Sequence, residues 1–243
     1  MKVGILASDR DEWHVQQLLG GLSGRGVEAH VFPATRFLSR IGGEPRVSVR
    51  GYGIDDYDAV IVRKVPGGSP EQVFYRMDAL HRLEDLGVYV INSAESIERA
   101  VDKYYTSTLL EDAGIRTPRT IVTERFREAM EGFDELGGDI VVKPLFGSLG
   151  VGMVRVSDRD VAYRVFRALE MAGSVYYLQE FIPHGNRDIR AFVVGGRVVS
   201  SMLRVAEDWK TNISGGATAR PHTLEKELAE ISVKAAEAVG LEY

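Results

Sequence analysis

Two lysines, each set beside residues that could bring it to an anion, are the first places where this chain could do chemistry. In D-I-V-V-K-P-L-F-G-S-L-G-V-G, residues 139–152, the apolar triplet Ile140, Val141 and Val142 reads as a buried strand that carries Lys143 to its end. Pro144 has no N–H for ladder pairing and closes that strand. Gly147, Ser148, Gly150 and Gly152 follow, ahead of a second strand at Met153–Val156. Glycines let backbone N–H groups approach phosphate oxygens and a lysine adds a point charge, so the stretch suits a polyphosphate. An ordinary hairpin with a surface lysine reads equally from it. Lys103 opens a helix, where the macrodipole disfavours a cation unless an anion is near. A solvated lysine screened by Asp102 is the plainer alternative.

Further along, Gln179-Glu180-Phe181-Ile182 ends a strand with two hydrogen-bonding side chains beside an aromatic, and Pro183 follows. Strands 189–194 and 197–203 flank Gly195-Gly196, a pair that fits a two-residue type I′ hairpin turn. Pairing across that turn sets residue 190 near 201 and 187 near 204. Arg187 or Arg190 then crowds Arg204 at the open end, where their repulsion calls for an anionic ligand or a carboxylate, and Asp188 alone is too little. The loop Trp209–Gly216 adds Lys210, Asn212 and backbone donors. Arg63 closes a strand of the N-terminal part, a position from which it could hold a carboxylate or simply face solvent. The five histidines show no ligand spacing. No G-x-x-x-x-G-K-[ST], G-x-G-x-x-G after the first strand, H-R-D, D-F-G, G-x-S-x-G or H-E-x-x-H occurs.

The elements that must position these residues follow from apolar periodicity. Strands at 3–7, 27–32, 59–62 and 88–91 alternate with helices at 12–22 and 70–86, which predicts a small doubly wound α/β sheet over residues 1–92. A central unit over 93–174 carries helices at 94–101, 103–113 and 158–171 and strands at 119–123, 140–142 and 153–156. From 175 to 243 a strand, the Gly-Gly hairpin, a loop and a helix capped by Thr223 follow, so the whole reads as α/β joined to α+β. The chain has no cysteine, which excludes disulfides, thiolate catalysis and cysteine-held zinc. A net charge of −5 argues against non-specific nucleic-acid or membrane binding, and no apolar run is long enough to span a bilayer. A cytoplasmic protein is the expectation, with a homo-oligomer left open.

Taken in order, these segments resemble the ATP-grasp ligases, in particular the RimK-type amino-acid ligases. The resemblance runs through Asn92-Ser93, Ala100-x-Asp102-Lys103, Val142-Lys143-Pro144-Leu145-x-Gly147-Ser148-x-Gly150-x-Gly152, Gln179–Ile182, Arg187–Arg190, Val193–Gly196, Arg204 and Trp209-x-Thr211-Asn212. It implies an ATP-grasp fold with an N-terminal doubly wound (pre-ATP-grasp) domain at 1–92, a lid at 93–174 and an incomplete C-terminal part at 175–243. ATP would lie between the last two, with Mg²⁺ or Mn²⁺. By this likeness Lys103 and Lys143 contact phosphates, Gly147, Ser148, Gly150 and Gly152 close over them, backbone groups of Glu180, Phe181 and Ile182 read the adenine edge, and Gln179 belongs to the same ATP-binding set. Asp188 meets the ribose, and Arg204, Arg190 and Asn212 serve the reacting centre. The implied reaction phosphorylates a carboxylate and condenses the acyl phosphate with an amine, usually L-glutamate. The acceptor would be a coenzyme of tetrahydromethanopterin or deazaflavin type, a ribosomal-protein tail or a lysine-biosynthesis carrier. The acidic chain shows nothing suited to a ribosome, which favours the coenzyme. The family's metal ligands are expected beyond Tyr243, so weak ATP binding and little turnover are the expectation for these 243 residues. A nucleotide-binding module without catalysis and a phosphotransferase are the rival readings.

Overall fold

Alternation along the first strand decides the architecture of the N-terminal part. The computed structural model describes residues 1–243. It divides into two compact units, Met1–Glu98 and Arg99–Tyr243. In the first, β1 (Lys2–Leu6) and α1 (Trp13–Ser23) lead to β2 (Glu28–Phe32). The short strands β3 (Phe37–Ser39), β4 (Val47–Val49) and β5 (Tyr52–Gly53) come next, followed by β6 (Ala59–Val62), α2 (Pro70–Asp85) and β7 (Tyr89–Ile91). The main sheet is parallel throughout, in the order β2-β1-β6-β7. Ile5 packs with Val15 and Leu18 of α1 on one face, while Leu6 packs with Met77, Leu80 and Leu83 of α2 on the other. Burying both faces is what a doubly wound sheet requires. Ser69 and Gln72 close a capping box at the start of α2, with Pro70 as its first helical residue.

The small antiparallel sheet β3-β4-β5 goes beyond the sequence reading. Strands of two or three residues have no measurable period, so tertiary packing of Val47 and Val49 defines them.

The division between units falls within α3 (Ala94–Val101). The second unit continues with α4 (Lys103–Asp112), β8 (Thr120–Thr123), α5 (Phe126–Glu135), β9 (Ile140–Lys143), β10 (Val154–Val156), α6 (Arg159–Met171) and β11 (Tyr176–Glu180). These strands form one antiparallel sheet in the order β10-β9-β11-β8. Then β12 (Arg187–Val194), β13 (Arg197–Val205) and β14 (Thr218–Pro221) make a second antiparallel sheet, and α7 (Lys226–Val239) ends the chain's helices. Because β11 is hydrogen-bonded to β8 and β9, a boundary between 174 and 175 would cut it from its own sheet. We propose the lid boundary at Pro183 instead.

Two expectations are corrected here. α5 went unread, although Phe126, Ala129, Met130 and Phe133 follow helical spacing. Gly132 is buried beside that stripe, where a Cβ would stand 3.1 Å from Ile121. The last helix starts at Lys226 after Glu225, with no side-chain cap, so Thr223 does not cap it.

Under the first of these sheets Phe166, Tyr176, Leu178 and Ile140 are buried in one core. The Phe166 and Tyr176 rings meet edge to face at 5.6 Å, and the Tyr176 hydroxyl donates to the Phe166 carbonyl at 3.2 Å. Phe166→Ala is therefore expected to cost about 3–5 kcal/mol, read as a lower denaturation midpoint for the second unit. A loss under about 1 kcal/mol would place the core of this unit elsewhere.

Candidate functional site

Lys143 reaches the end of β9 because three apolar residues bury the strand behind it. Its ammonium donates to Gln179 Oε1 on β11 at 2.5 Å. Gln179 is 9% exposed, and its amide nitrogen donates in turn to Thr120 Oγ1 (3.0 Å) and the Tyr177 hydroxyl (3.4 Å). That hydroxyl lies 3.0 Å from Ser107 Oγ on α4. A buried polar network thus fixes the lysine from behind, and Gln179 serves it as a positioning residue. Tyr177, Thr120 and Ser107 were not singled out from sequence, since single polar residues on short strands and helices carry no local pattern.

Lys103, first residue of α4, donates its ammonium to the carbonyls of Gly147 (2.9 Å) and Leu145 (3.2 Å). Asp102 does not pair with it. That carboxylate caps the helix instead, accepting from the Tyr104 and Tyr105 N–H groups. Burial lowers the pKa of Lys143, and the nearby Lys103 ammonium lowers it further. Lys103 is itself lowered by burial, against the opposing pull of Asp102. Two desolvated cations are thus held within range of each other and of the glycine-rich turn.

The turn between β9 and β10 is left-handed at Leu149, Gly150 and Gly152. It rests on the loop that follows β13: Ser214 Oγ donates to Leu149 O at 3.2 Å, and the Asn212 side chain sits against the bare Cα of Gly150. Gly150, at φ +74°, thus meets two demands that a side chain fails, a positive φ and close approach. Gly150→Ala is expected to force the turn off Asn212, costing about 1–2 kcal/mol locally. On the ATP-grasp resemblance, the Michaelis constant for ATP should rise roughly tenfold while the denaturation midpoint of the core holds. Unchanged ATP kinetics would contradict this.

The expected crowd of arginines resolves differently. A bulge between Phe192 and Val193 shifts the hairpin register by one residue, so Asp188 lies opposite Arg204 and Arg190 opposite Met202. Asp188 takes both Arg204 Nε (2.7 Å) and Nη2 (2.5 Å), and Thr211 Oγ1 donates to it at 2.7 Å. The repulsion argument therefore fails, because Asp188 is the carboxylate that holds Arg204. Burial alone would raise the Asp188 pKa, but bonds from Arg204 and Thr211 and the charge of Arg190 leave it below the usual range. Arg204 is raised by the same pair. One face of this sheet thus presents Arg204, clamped in a fixed plane, with Arg190 two residues along from Asp188.

At the end of β11 the Glu180 N–H donates to Arg119 O (2.9 Å) and the Phe181 N–H to Asp139 O (3.0 Å). The Glu180 carboxylate is held by the Arg119 N–H and Nε, both at 2.8 Å. Arg155, paired to Asp139, lies 3.5 Å over the Phe181 ring, and Trp209 meets that ring edge-on. Of this stretch Ile182 is half exposed and precedes Pro183, which has no N–H to offer. In the first unit Arg63 is bonded to Glu12 at 2.8 Å, with His14 Nδ1 at 3.5 Å. No group of three or more His, Asp or Glu side chains stands together as a metal site. Glu207 and Asp208, on one short loop, are a poor donor set for Mg²⁺, so no chemical step is assigned to a metal.

The chain matches the RimK-like ATP-grasp domain over residues 100–243 and the RimK PreATP-grasp domain over residues 1–97. It is 34% identical to a tetrahydromethanopterin:alpha-L-glutamate ligase of Methanococcus maripaludis, over all of this chain and 83% of that protein. A probable alpha-L-glutamate ligase of Aliivibrio fischeri is 32% identical over 99% of this chain and 80% of its own length. The RimK domain ATP-grasp protein of Sphaerobacter thermophilus shares the fold, with a TM-score of 0.76 at 21% identity, over all of this chain and 83% of that one. No helix is long and apolar enough to cross a membrane.

Proposed function

This chain belongs to the RimK-like ATP-grasp family and is an ATP-dependent ligase, and from that premise we propose that it joins L-glutamate to a carboxylate of a small coenzyme-like acceptor. The observation that carries this reading is the pair Lys103 and Lys143, two desolvated cations beside a glycine-rich turn. Burial disfavours both charges, and the Lys103 ammonium adds to this at Lys143, until a polyanion arrives, which is the condition for selective triphosphate binding.

In this reading the acceptor carboxylate attacks the γ-phosphorus of ATP, the bond to the β–γ bridging oxygen breaks, and an acyl phosphate and ADP form. The glutamate amine then attacks the acyl carbon, loses a proton, and inorganic phosphate leaves. Lys143, braced by Gln179, neutralises phosphate oxygens, and Lys103 leaves the carbonyls of Leu145 and Gly147 to do the same. The turn at Gly147, Ser148, Gly150 and Gly152 shields the acyl phosphate from water. The Glu180 and Phe181 N–H groups are engaged inside the protein, so the Ile182 N–H is the donor this stretch has for an adenine edge. Arg204, with Arg190 and Asn212, faces the developing negative charge. Asp188 acts through Arg204 and orients it, a positioning role that replaces ribose contact. Arg63 would exchange Glu12 for a substrate carboxylate. The names of the glutamate-ligase relatives, one of them acting on tetrahydromethanopterin, favour a coenzyme over a ribosomal-protein tail.

The test mixes the protein with ATP, a divalent cation, L-glutamate and tetrahydromethanopterin, and follows ADP together with product mass. ADP release that requires both substrates, with a product heavier by one glutamyl residue, is expected. A stable phosphorylated acceptor without amide would make it a phosphotransferase. ATP binding without ADP release would make it a binding module.

A further inference from the structure

The first unit holds a second concentration of positive charge, in the loop between β3 and β4. A cavity of about 670 Å³ opens there, lined by Arg40, Arg46 and Glu44 of the loop, its two glycines, and Arg82 from the last turn of α2. Three guanidiniums therefore face one carboxylate, in a chain whose net charge is −5. Glu44 accepts from Arg46 Nε at 3.1 Å and neutralises that residue only. Arg40 has no carboxylate: its Nη1 donates to Pro45 O at 3.0 Å and Ser48 Oγ at 3.1 Å. Ser48 is 3% exposed and hands its own proton to Leu38 O at 3.3 Å, so Arg40 is anchored on the small sheet. Arg82, in the last turn of α2, is exposed to solvent.

Scattered surface arginines are ordinarily solvated and do nothing. This group differs in being concave and in having one member fixed by hydrogen bonds to the protein. The loop itself is closed by the Arg40 N–H donating to Arg46 O at 2.8 Å. Gly42, at φ +75°, and Gly43 leave the backbone bare between the arginines. A concave set of guanidiniums with one member already fixed lowers the cost of gathering donors around an oxyanion. Beside it Ile41 is fully exposed, an apolar contact that a free ion would not use.

We propose that this pocket is an oxyanion site that takes the phosphate of a phosphomonoester, with Arg40, Arg46 and Arg82 as donors and Ile41 against the organic part. It lies wholly within the first unit and stands apart from the ligase reading.

The test records arginine Nε–Hε resonances of the full chain, with a non-hydrolysable ATP analogue present to occupy the nucleotide site. Phenyl phosphate and inorganic phosphate are titrated separately. Saturable shifts at Arg40, Arg46 and Arg82 are expected, with phenyl phosphate binding at least threefold more tightly. The Arg40→Gln/Arg82→Gln pair should weaken that binding at least tenfold, with spectral dispersion retained. Inorganic phosphate binding as tightly as phenyl phosphate would make the site one for the free ion and overturn the ester. Linear shifts, or equal titrations in the parent and the double variant, would overturn the site altogether. If the double variant fails to fold, Glu44→Gln provides the second reading: removing the competing carboxylate should tighten phenyl phosphate binding, and no change would count against the pocket.

Discussion

Lys143→Met is expected to lower kcat/KM for ATP by roughly a hundred- to a thousandfold, the loss seen when one fixed electrostatic donor is removed from a reacting centre. Methionine keeps the length and apolar stem of the side chain and deletes the charge. The folded protein already disfavours that charge, since burial and Lys103 both lower the lysine's pKa. Removing it should therefore leave the denaturation midpoint unchanged or higher, while Gln179 loses one bond at its amide oxygen. Activity falls and stability does not, a combination that a merely structural lysine would not produce. Turnover within threefold of the parent would remove Lys143 from the phosphate site.

Arg204→Lys is the second large effect. The guanidinium is held in plane by two bonds to Asp188, and Asp188 is fixed by Thr211. A lysine offers a point charge with no fork, so it keeps the attraction and loses the orientation. The expected outcome is a fall in kcat of roughly a hundredfold, with the Michaelis constant for ATP nearly unchanged, because the contact forms with the developing charge. Asp188→Asn supplies the companion measurement. It should reduce kcat less than Arg204→Lys, and the double variant should be little worse than Arg204→Lys alone, as expected for residues acting as one unit. Additive losses would assign Asp188 a contact of its own.

Much of this was legible in the residues. The parallel sheet of the first unit follows from four apolar runs and two amphipathic helices, and the observed strands fall within a residue or two of the expected ones. The Gly195-Gly196 turn has both residues at positive φ, as a type I′ hairpin needs. What the residues could not give was register. A single bulge, invisible in the local pattern, moves Asp188 opposite Arg204 and turns an expected repulsion into an ion pair. The network behind Lys143 was equally hidden, because Ser107, Thr120, Tyr177 and Gln179 come from three elements, and only the β8–β11 pairing and the packing of α4 bring them together. α5 was missed although Phe126, Ala129, Met130 and Phe133 carry a complete helical stripe.

Whether Lys103 and Lys143 hold one triphosphate is tested most directly by a crystal structure of this chain with a non-hydrolysable ATP analogue. Both ammonium nitrogens should lie about 3 Å from phosphate oxygens. Lys103 should have given up the carbonyls of Leu145 and Gly147 for those oxygens. A nucleotide bound with either nitrogen still on its protein partner, or lodged away from the glycine turn, would contradict the account.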